Sequence, residues 1–187
     1  MKPLFLAAAL ALAAAPAIAA PAPAWTVDKT ASKIGFSSSF GGTAFSGAFR
    51  IWDAQIRFDP NNLAGSSATV TIDTASVATG DDDRDKTLPD TPWFSSAQYP
   101  KAVFKAQRFK ALGGGRYQAI GTLTLRGVTK PLTLPFSLTI TGADAKMTSS
   151  MGLNRLAFGV GQGEWAKTEV IPSTVKLSIS LTAHRAK

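Results

Sequence analysis

From Trp25 onward, apolar residues recur at every second position. Leu132, Leu134, Phe136, Leu138 and Ile140 alternate with Thr133, Pro135, Ser137, Thr139 and Thr141. Val175, Leu177, Ile179, Leu181 and Ala183 alternate with Lys176, Ser178, Ser180 and Thr182. Tyr117, Ala119, Gly121, Leu123 and Leu125 make a third series, interrupted by Ile120, and Val70 and Ile72 a fourth between Thr69, Thr71 and Asp73. Successive side chains of a strand point to opposite faces, so each run predicts a strand with one buried and one solvated face. The polar sides are rich in Thr and Ser, which suits strands. Further strands are expected at 25–29, 33–40, 44–58, 101–111 and 146–158, with the long 44–58 run bending or bulging at Gly47.

Turn clusters separate these runs: Asp59-Pro60-Asn61-Asn62, Gly113-Gly114-Gly115 and Gly142-Ala143-Asp144. Past the first twenty residues no window sustains a 3.6-residue apolar period. Two short helices are conceivable. Asp81, Asp82 and Asp83 suit the positive end of one over 81–88, and Pro92 the first turn of another over 92–98. About eight strands, each with one face to bury, need a closed barrel or a two-sheet sandwich. Several strands run to about ten residues or more, which favours a tall barrel. The expected fold is all-β: an extended eight-stranded antiparallel β-barrel with one or two short helices in the 81–98 connection.

The chain has 187 residues, no Cys and one His, His184. Disulfides, thiol nucleophiles, thiolate metal sites and poly-His sites are excluded, and little room is left for a Ser-His-Asp triad. Residues 1–19 have the layout of a cleaved secretory signal peptide: Lys2, an uncharged run from Leu4 to Ala15, Pro16, then small Ala17 and Ala19 flanking Ile18. The apolar run falls short of the ~20 residues that span a bilayer. Residues 20–24 read as an extended leader without packing content, and 25–187 as one barrel domain. The expected location is the periplasm, where this chain must rely on core packing without disulfides.

Lys and Arg number 20 against 12 Asp and Glu, a formal +8. The basic residues are scattered singly, as at Arg50, Arg57, Lys105, Arg108, Arg126 and Lys130, so no nucleic-acid stripe is expected. The positive balance would help approach to an anionic membrane surface. Asp81, Asp82, Asp83 and Asp85 lack the spacing of a calcium loop and read as a solvated, capping segment. Glu164 and Glu169 lie in a Gly-rich stretch with nothing to mark an acid–base pair, and His184 reads as part of a frayed surface terminus. Gly159-Val160-Gly161-Gln162-Gly163 opens no helix and reads as a loop. No catalytic residue, metal or cofactor is expected.

What remains is the apolar face. Phe36, Phe40, Phe45, Phe49, Ile56 and Phe58 could point inward from the first strands, and Val70, Ile72 and Phe104 from the middle ones. Leu123, Leu125, Leu134, Phe136 and Leu138 could do so from the later ones. Eleven Phe against two Tyr supply aromatic bulk without hydroxyls. A packed core and a hollow, ligand-lined one both satisfy this pattern. Leu88, Trp93 and Phe94, in the 81–100 segment, either flank a mouth or plug one barrel end.

Several strings carry a resemblance. Thr79-Gly80, Arg84-Asp85, Leu88, Trp93-Phe94, Tyr99-Pro100 and Phe104 follow in order, then the run from Gly121 through Arg126-Gly127 to Pro131. Asn154-Arg155, Phe158-Gly159-Val160 and Gly161-Gln162-Gly163-Glu164-Trp165 come next, and Trp25-Thr26-Val27-Asp28, Ser32, Ile34 and Phe36 open the series. Together they resemble the YceI-like family across about residues 25–184. The chain departs from that family's pattern at Thr87, often His, at Ser95, where an acid often follows a Phe pair, and at Ala157, commonly an acid. The resemblance implies a lipocalin-like barrel with a long apolar channel. It further implies that this channel holds a polyisoprenoid lipid or quinone-type isoprenoid, in periplasmic proteins that are often homodimers. It implies no metal, no covalent cofactor and no catalytic constellation.

Overall fold

The computed structural model describes residues 20–186. The segment 1–19, read above as an export signal, lies outside the described residues. Ten strand segments follow in chain order: β1 (Ala24–Phe40), β2 (Thr43–Phe49), β3 (Trp52–Arg57), β4 (Ser67–Asp73), β5 (Val77–Ala78), β6 (Lys101–Gly113), β7 (Arg116–Leu125), β8 (Val128–Thr141), β9 (Asp144–Asn154) and β10 (Thr174–Arg185). All pairings are antiparallel, and β1 pairs with β10, so the sheet closes on itself. β2 and β3 form one stave and β4 and β5 the next, because β3 pairs with β4 and β2 with β5. The result is a closed eight-stranded antiparallel barrel. Closure leaves no sheet edge and turns one face of every strand inward.

Three irregularities change which residues face in. The register slips between Asp28 and Lys33 on β1, where the Asp28 carboxylate accepts from the Thr30 N–H, the Thr30 hydroxyl and the Ala31 N–H. It slips again on β6 between Ala106 and Arg108. The third lies at Arg50–Ile51, between β2 and β3, where Ser76 caps the gap: its carbonyl accepts from Arg50 and its hydroxyl from Ile51. The expected bend at Gly47 is therefore misplaced by three residues. Gly47 lies in regular pairing with Phe36, and a Cβ there would sit 2.6 Å from the Phe36 ring. Close approach of that ring, not a bend, requires the glycine.

Other expectations need correction. A single helix, α1 (Asp82–Thr87), forms in the 81–98 connection, with the Asp81 carboxylate accepting from the Arg84 N–H at 2.9 Å. Residues 92–98 form turns instead. Ser95 has φ of 50°, and Ser96 is pulled inward by a 2.9 Å hydrogen bond from the Thr74 hydroxyl. Residues 20–24 are extended but packed: Ala22 is 1% exposed, and it exchanges bonds with Gly65 and Arg57. The strand at His184 is not frayed. His184 pairs with Thr26 and Asp144 in the sheet, and its Nδ1 lies 2.6 Å from the Asp144 carboxylate.

The two barrel ends differ. One end, the floor, is closed by an aromatic cluster: Phe58 meets Phe109, Tyr117 and Phe136 at ring centroids 5.4, 5.3 and 5.9 Å apart. The other is covered by the 79–100 and 155–173 connections, which pack Leu88, Trp93, Phe158, Val160 and Ile171 onto Leu123 and Leu125.

Candidate functional site

Between floor and cover lies a cavity of about 610 Å3. Close-packed interiors keep few voids larger than a water molecule. A space this large, in the range of small-molecule sites, is a hollow core and not an imperfectly filled one. Every stave contributes alternate residues to its wall. β8 supplies Leu132, Leu134, Phe136, Leu138 and Ile140, and β10 supplies Val175, Leu177, Ile179, Leu181 and Ala183.

The structure brings all seventeen residues anticipated from sequence to this one cavity, Phe58 among them at the floor. Phe36, Phe40, Phe45, Phe49 and Ile56 line it from β1 to β3, and Val70, Ile72 and Phe104 from β4 and β6. Leu123, Leu125, Leu134, Phe136 and Leu138 line it from β7 and β8, and Leu88, Trp93 and Phe94 from the cover. They do not contribute alike. Trp93 and Leu88 are buried, whereas Phe40 is 48% exposed at the rim.

Strand pattern alone missed several wall residues. Trp25, Trp52 and Phe109 enter because the three irregularities shift the inward phase: Phe104 and Phe109 are five apart, yet both face in across the slip at Gln107. The polar part of the wall was missed as well. Among 44 lining residues only Ser38, Asp81, Asp83, Arg84, Thr87 and Arg155 are polar or charged. All six belong to the covered end: α1 and its cap, the last turn of β1, and the residue after β9. No polar residue lines the cavity at the floor end, so the cavity is amphipathic along its axis.

Two arginines organise the cover. Arg84 sets its guanidinium 4.2 Å from the Phe45 ring centroid and pairs with Asp81 at 3.4 Å. Arg155 is 4% exposed and donates to the carbonyls of Val160, Trp165, Ile171 and Pro172 at 2.7 to 3.0 Å, and to Gly161 at 3.4 Å. Burial pulls its pKa below the ordinary guanidinium value, and no carboxylate among the described residues pairs with it. Gly161 has φ of 83°, and a Cβ there would strike the Arg155 guanidinium. That conformation and that contact both exclude a side chain.

Asp85 is tied to structure: its carboxylate accepts from the Thr79 N–H at 2.7 Å and the Thr79 hydroxyl at 2.6 Å. Partial burial pushes this carboxyl up, and the Thr79 bonds push it down further, leaving it below the ordinary value. Glu164 and Glu169 are exposed on the 155–173 connection. No group of three or more His, Cys, Asp or Glu able to hold a metal occurs among the described residues.

Fold and site define a class: a closed antiparallel barrel whose hollow, apolar interior has its few polar lining residues at one covered end. Residues 25–183 match the model of the YceI-like domain, and the chain belongs to the YceI-like family. A UPF0312 protein of Yersinia pestis is 42% identical over 98 residues, 52% of this chain; the match spans 50% of that relative, about half its length. The crystal structure of BcnA from Burkholderia cenocepacia superposes with a TM-score of 0.81 at 32% identity, covering 84% of this chain and 99% of that one. A polyisoprenoid binding domain from Saccharophagus degradans, implicated in plant cell wall breakdown, shares the fold with a TM-score of 0.71 at 20% identity, covering 88% of this chain and 99% of that one.

Proposed function

We propose that this protein is a non-catalytic carrier that encloses the tail of a polyisoprenoid or quinone-type isoprenoid lipid, for transport or storage in the periplasm. The observation that carries this reading is the 610 Å3 hollow between an all-apolar floor and a polar rim. A flexible branched chain needs a dry tube and no directed bonds along its length. Enclosing ~500 Å2 of apolar tail at ~25 cal/mol per Å2 supplies on the order of 12 kcal/mol. Lost rigid-body freedom and tail ordering return several kcal/mol or more of it. Micromolar to nanomolar retention follows from burial alone. The seventeen anticipated residues form the tail's wall, and the domain from 25 to 187 acts as one carrier unit. Family membership and the name of the Saccharophagus domain support the lipid class.

The carrier is exported through a cleaved signal peptide, meets anionic membrane surfaces transiently through its positive balance, and forms a homodimer. Native mass spectrometry of protein purified gently from the periplasmic fraction tests the cargo. A co-purifying neutral species of a few hundred daltons is expected, and a consistently empty chain that also fails to take up added isoprenoid counts against the reading.

A further inference from the structure

Between Lys101 and Thr141 the chain has seven Lys or Arg and no Asp or Glu, whereas the rest of residues 20–186 carries eleven basic and twelve acidic side chains. That interval is β6, β7 and β8, three neighbouring staves of the barrel. The positive excess of the described residues therefore sits on one wall. The cations are scattered along the chain, and strand pairing gathers them.

The slip on β6 aims them. Ala102 and Phe104 line the cavity, which turns Lys105 outward. Unbroken alternation would then send Arg108 and Lys110 inward. The extra residue at Gln107 reverses the phase, so Phe109 lines the cavity while Arg108 and Lys110 join Lys105 on the outer face. All three are exposed, and their cross-strand neighbours on β7 are the uncharged Thr122, Ile120 and Gln118. None of the three pairs with a carboxylate among the described residues, unlike Lys101, which Asp73 holds at 3.0 Å. Arg126 is likewise spent, on Thr91 and Gln162. The row ends at Leu112, an exposed apolar side chain beside the Gly113-Gly114-Gly115 turn.

The aromatic side chains of these strands, Phe104, Phe109, Tyr117 and Phe136, all pack inward, so the outer face offers nothing on which a base could stack. Single cations spread among Thr and Gln form no pocket for a directed anion. They suit a diffuse plane of negative charge. The cover does not suit such a plane, although Phe40 and Val170 are exposed there. Its 79–100 and 155–173 connections carry seven Asp or Glu against four Lys or Arg.

We infer that the outer wall of β6 to β8, through Lys105, Arg108 and Lys110 with Leu112 at its end, docks the barrel side-on onto an anionic bilayer and keeps the acidic cover clear of the headgroups. This rests on the membrane contact proposed above and gives it a surface and an orientation.

Cosedimentation with vesicles at low ionic strength tests it. One set holds phosphatidylglycerol and phosphatidylcholine in equal parts, the other phosphatidylcholine alone, and wild type should bind only the first. Lys105→Gln, Arg108→Gln and Lys110→Gln combined should weaken binding about 30- to 100-fold, since each cation near a charged bilayer is worth about five-fold. Lys33→Gln, Arg50→Gln and Lys176→Gln combined remove the same charge from the opposite wall, around β1, and should weaken it no more than about three-fold. The chain has no Cys, so Leu112→Cys and Val170→Cys can each carry a single environment-sensitive fluorophore. Mixed vesicles should shift its emission to the blue at 112 and not at 170. Should the first triple variant not fold, these labels decide. Equal weakening by the two triple variants, or a shift at 170 in place of 112, overturns this wall as the docking surface while leaving attraction through net charge. A wild type that ignores the mixed vesicles, whether or not it retains a DNA duplex at the same salt, overturns the bilayer as partner. Cavity lipid, measured separately, decides the carrier reading.

Discussion

The guanidinium of Arg155 lies 5.6 Å from the ring centroid of Trp93, so a single buried cation joins the 155–173 connection to the 79–100 connection. Its donors reach five carbonyls in a fork that a lysine ammonium cannot reproduce. Arg155→Lys is expected to cost about 2–4 kcal/mol of stability, and Arg155→Ala about 3–5, through carbonyls left without donors. Urea denaturation measures the loss. Hydrogen exchange should show the fastest new exchange at 158–171, and uniform loosening of the barrel would contradict this account.

A charge in the wall should empty the cavity. Phe136 sits in the floor cluster, 5.4 Å from Tyr117, and Leu123 is buried under the cover. Phe136→Asp and Leu123→Asp place a carboxylate against apolar surface, which disfavours an apolar guest strongly. Isoprenoid retention should fall at least about ten-fold in each. Exposed Lys130→Ala should leave it unchanged. Circular dichroism first establishes that the variants fold; a folded Phe136→Asp protein with full lipid content would remove that face from the binding wall.

Arg126 crosses between the two covering connections. It and Gly127 form the two-residue turn between β7 and β8, both at positive φ, 49° and 73°. A non-glycine residue rarely adopts that conformation. Here the side chain donates to the Thr91 carbonyl at 2.6 Å and to the Gln162 side chain at 3.1 Å. Arg126→Asn suits the backbone and removes both ties. Global stability should change by no more than about 1 kcal/mol, whereas exchange of lipid between protein and vesicles should accelerate. An unchanged transfer rate would show that the cover opens elsewhere.

Asp85 sets an acid limit on the cover. Its carboxyl titrates below the ordinary value because the bonds from Thr79 outweigh the opposing effect of burial. The ionised form therefore stabilises the folded chain at pH values above the unfolded Asp value of about 3.9. That contribution fades as the pH falls through the lower folded value. The midpoint of thermal unfolding should not respond to this group between pH 5 and 8 and should drop below about pH 3. Asp85→Asn should flatten that acid limb; an unaltered limb would assign the acid sensitivity to other carboxylates.

Much of the barrel was readable because its signal is local. The alternation from Leu132 to Ile140 and from Val175 to Ala183 needs no knowledge of a partner strand: a pleat sends alternate residues one way. The Asp81 cap of α1 was readable for the same reason, since the capping bond spans three residues. Trp25, Trp52 and Phe109 were hidden because their inward direction depends on slips in pairing with distant strands. Of the two candidate helices only α1 forms; residues 92–98 turn instead, with Ser96 tied to Thr74, 22 residues earlier in the chain.

Chain pattern by itself determined that this is an all-β protein whose strands each hide one apolar face, and which side chains compose most of that face. Only the tertiary structure decided that the interior is hollow. Cavity size depends on barrel girth, set by strand number and stagger, set against the summed volume of inward side chains, and neither girth nor stagger is written in a period of two. The closed fold also decided that Arg155, Trp93, Ser38 and Arg84 meet the same space from four separate stretches of chain. Such convergence arises from closure of the sheet, which no local preference encodes.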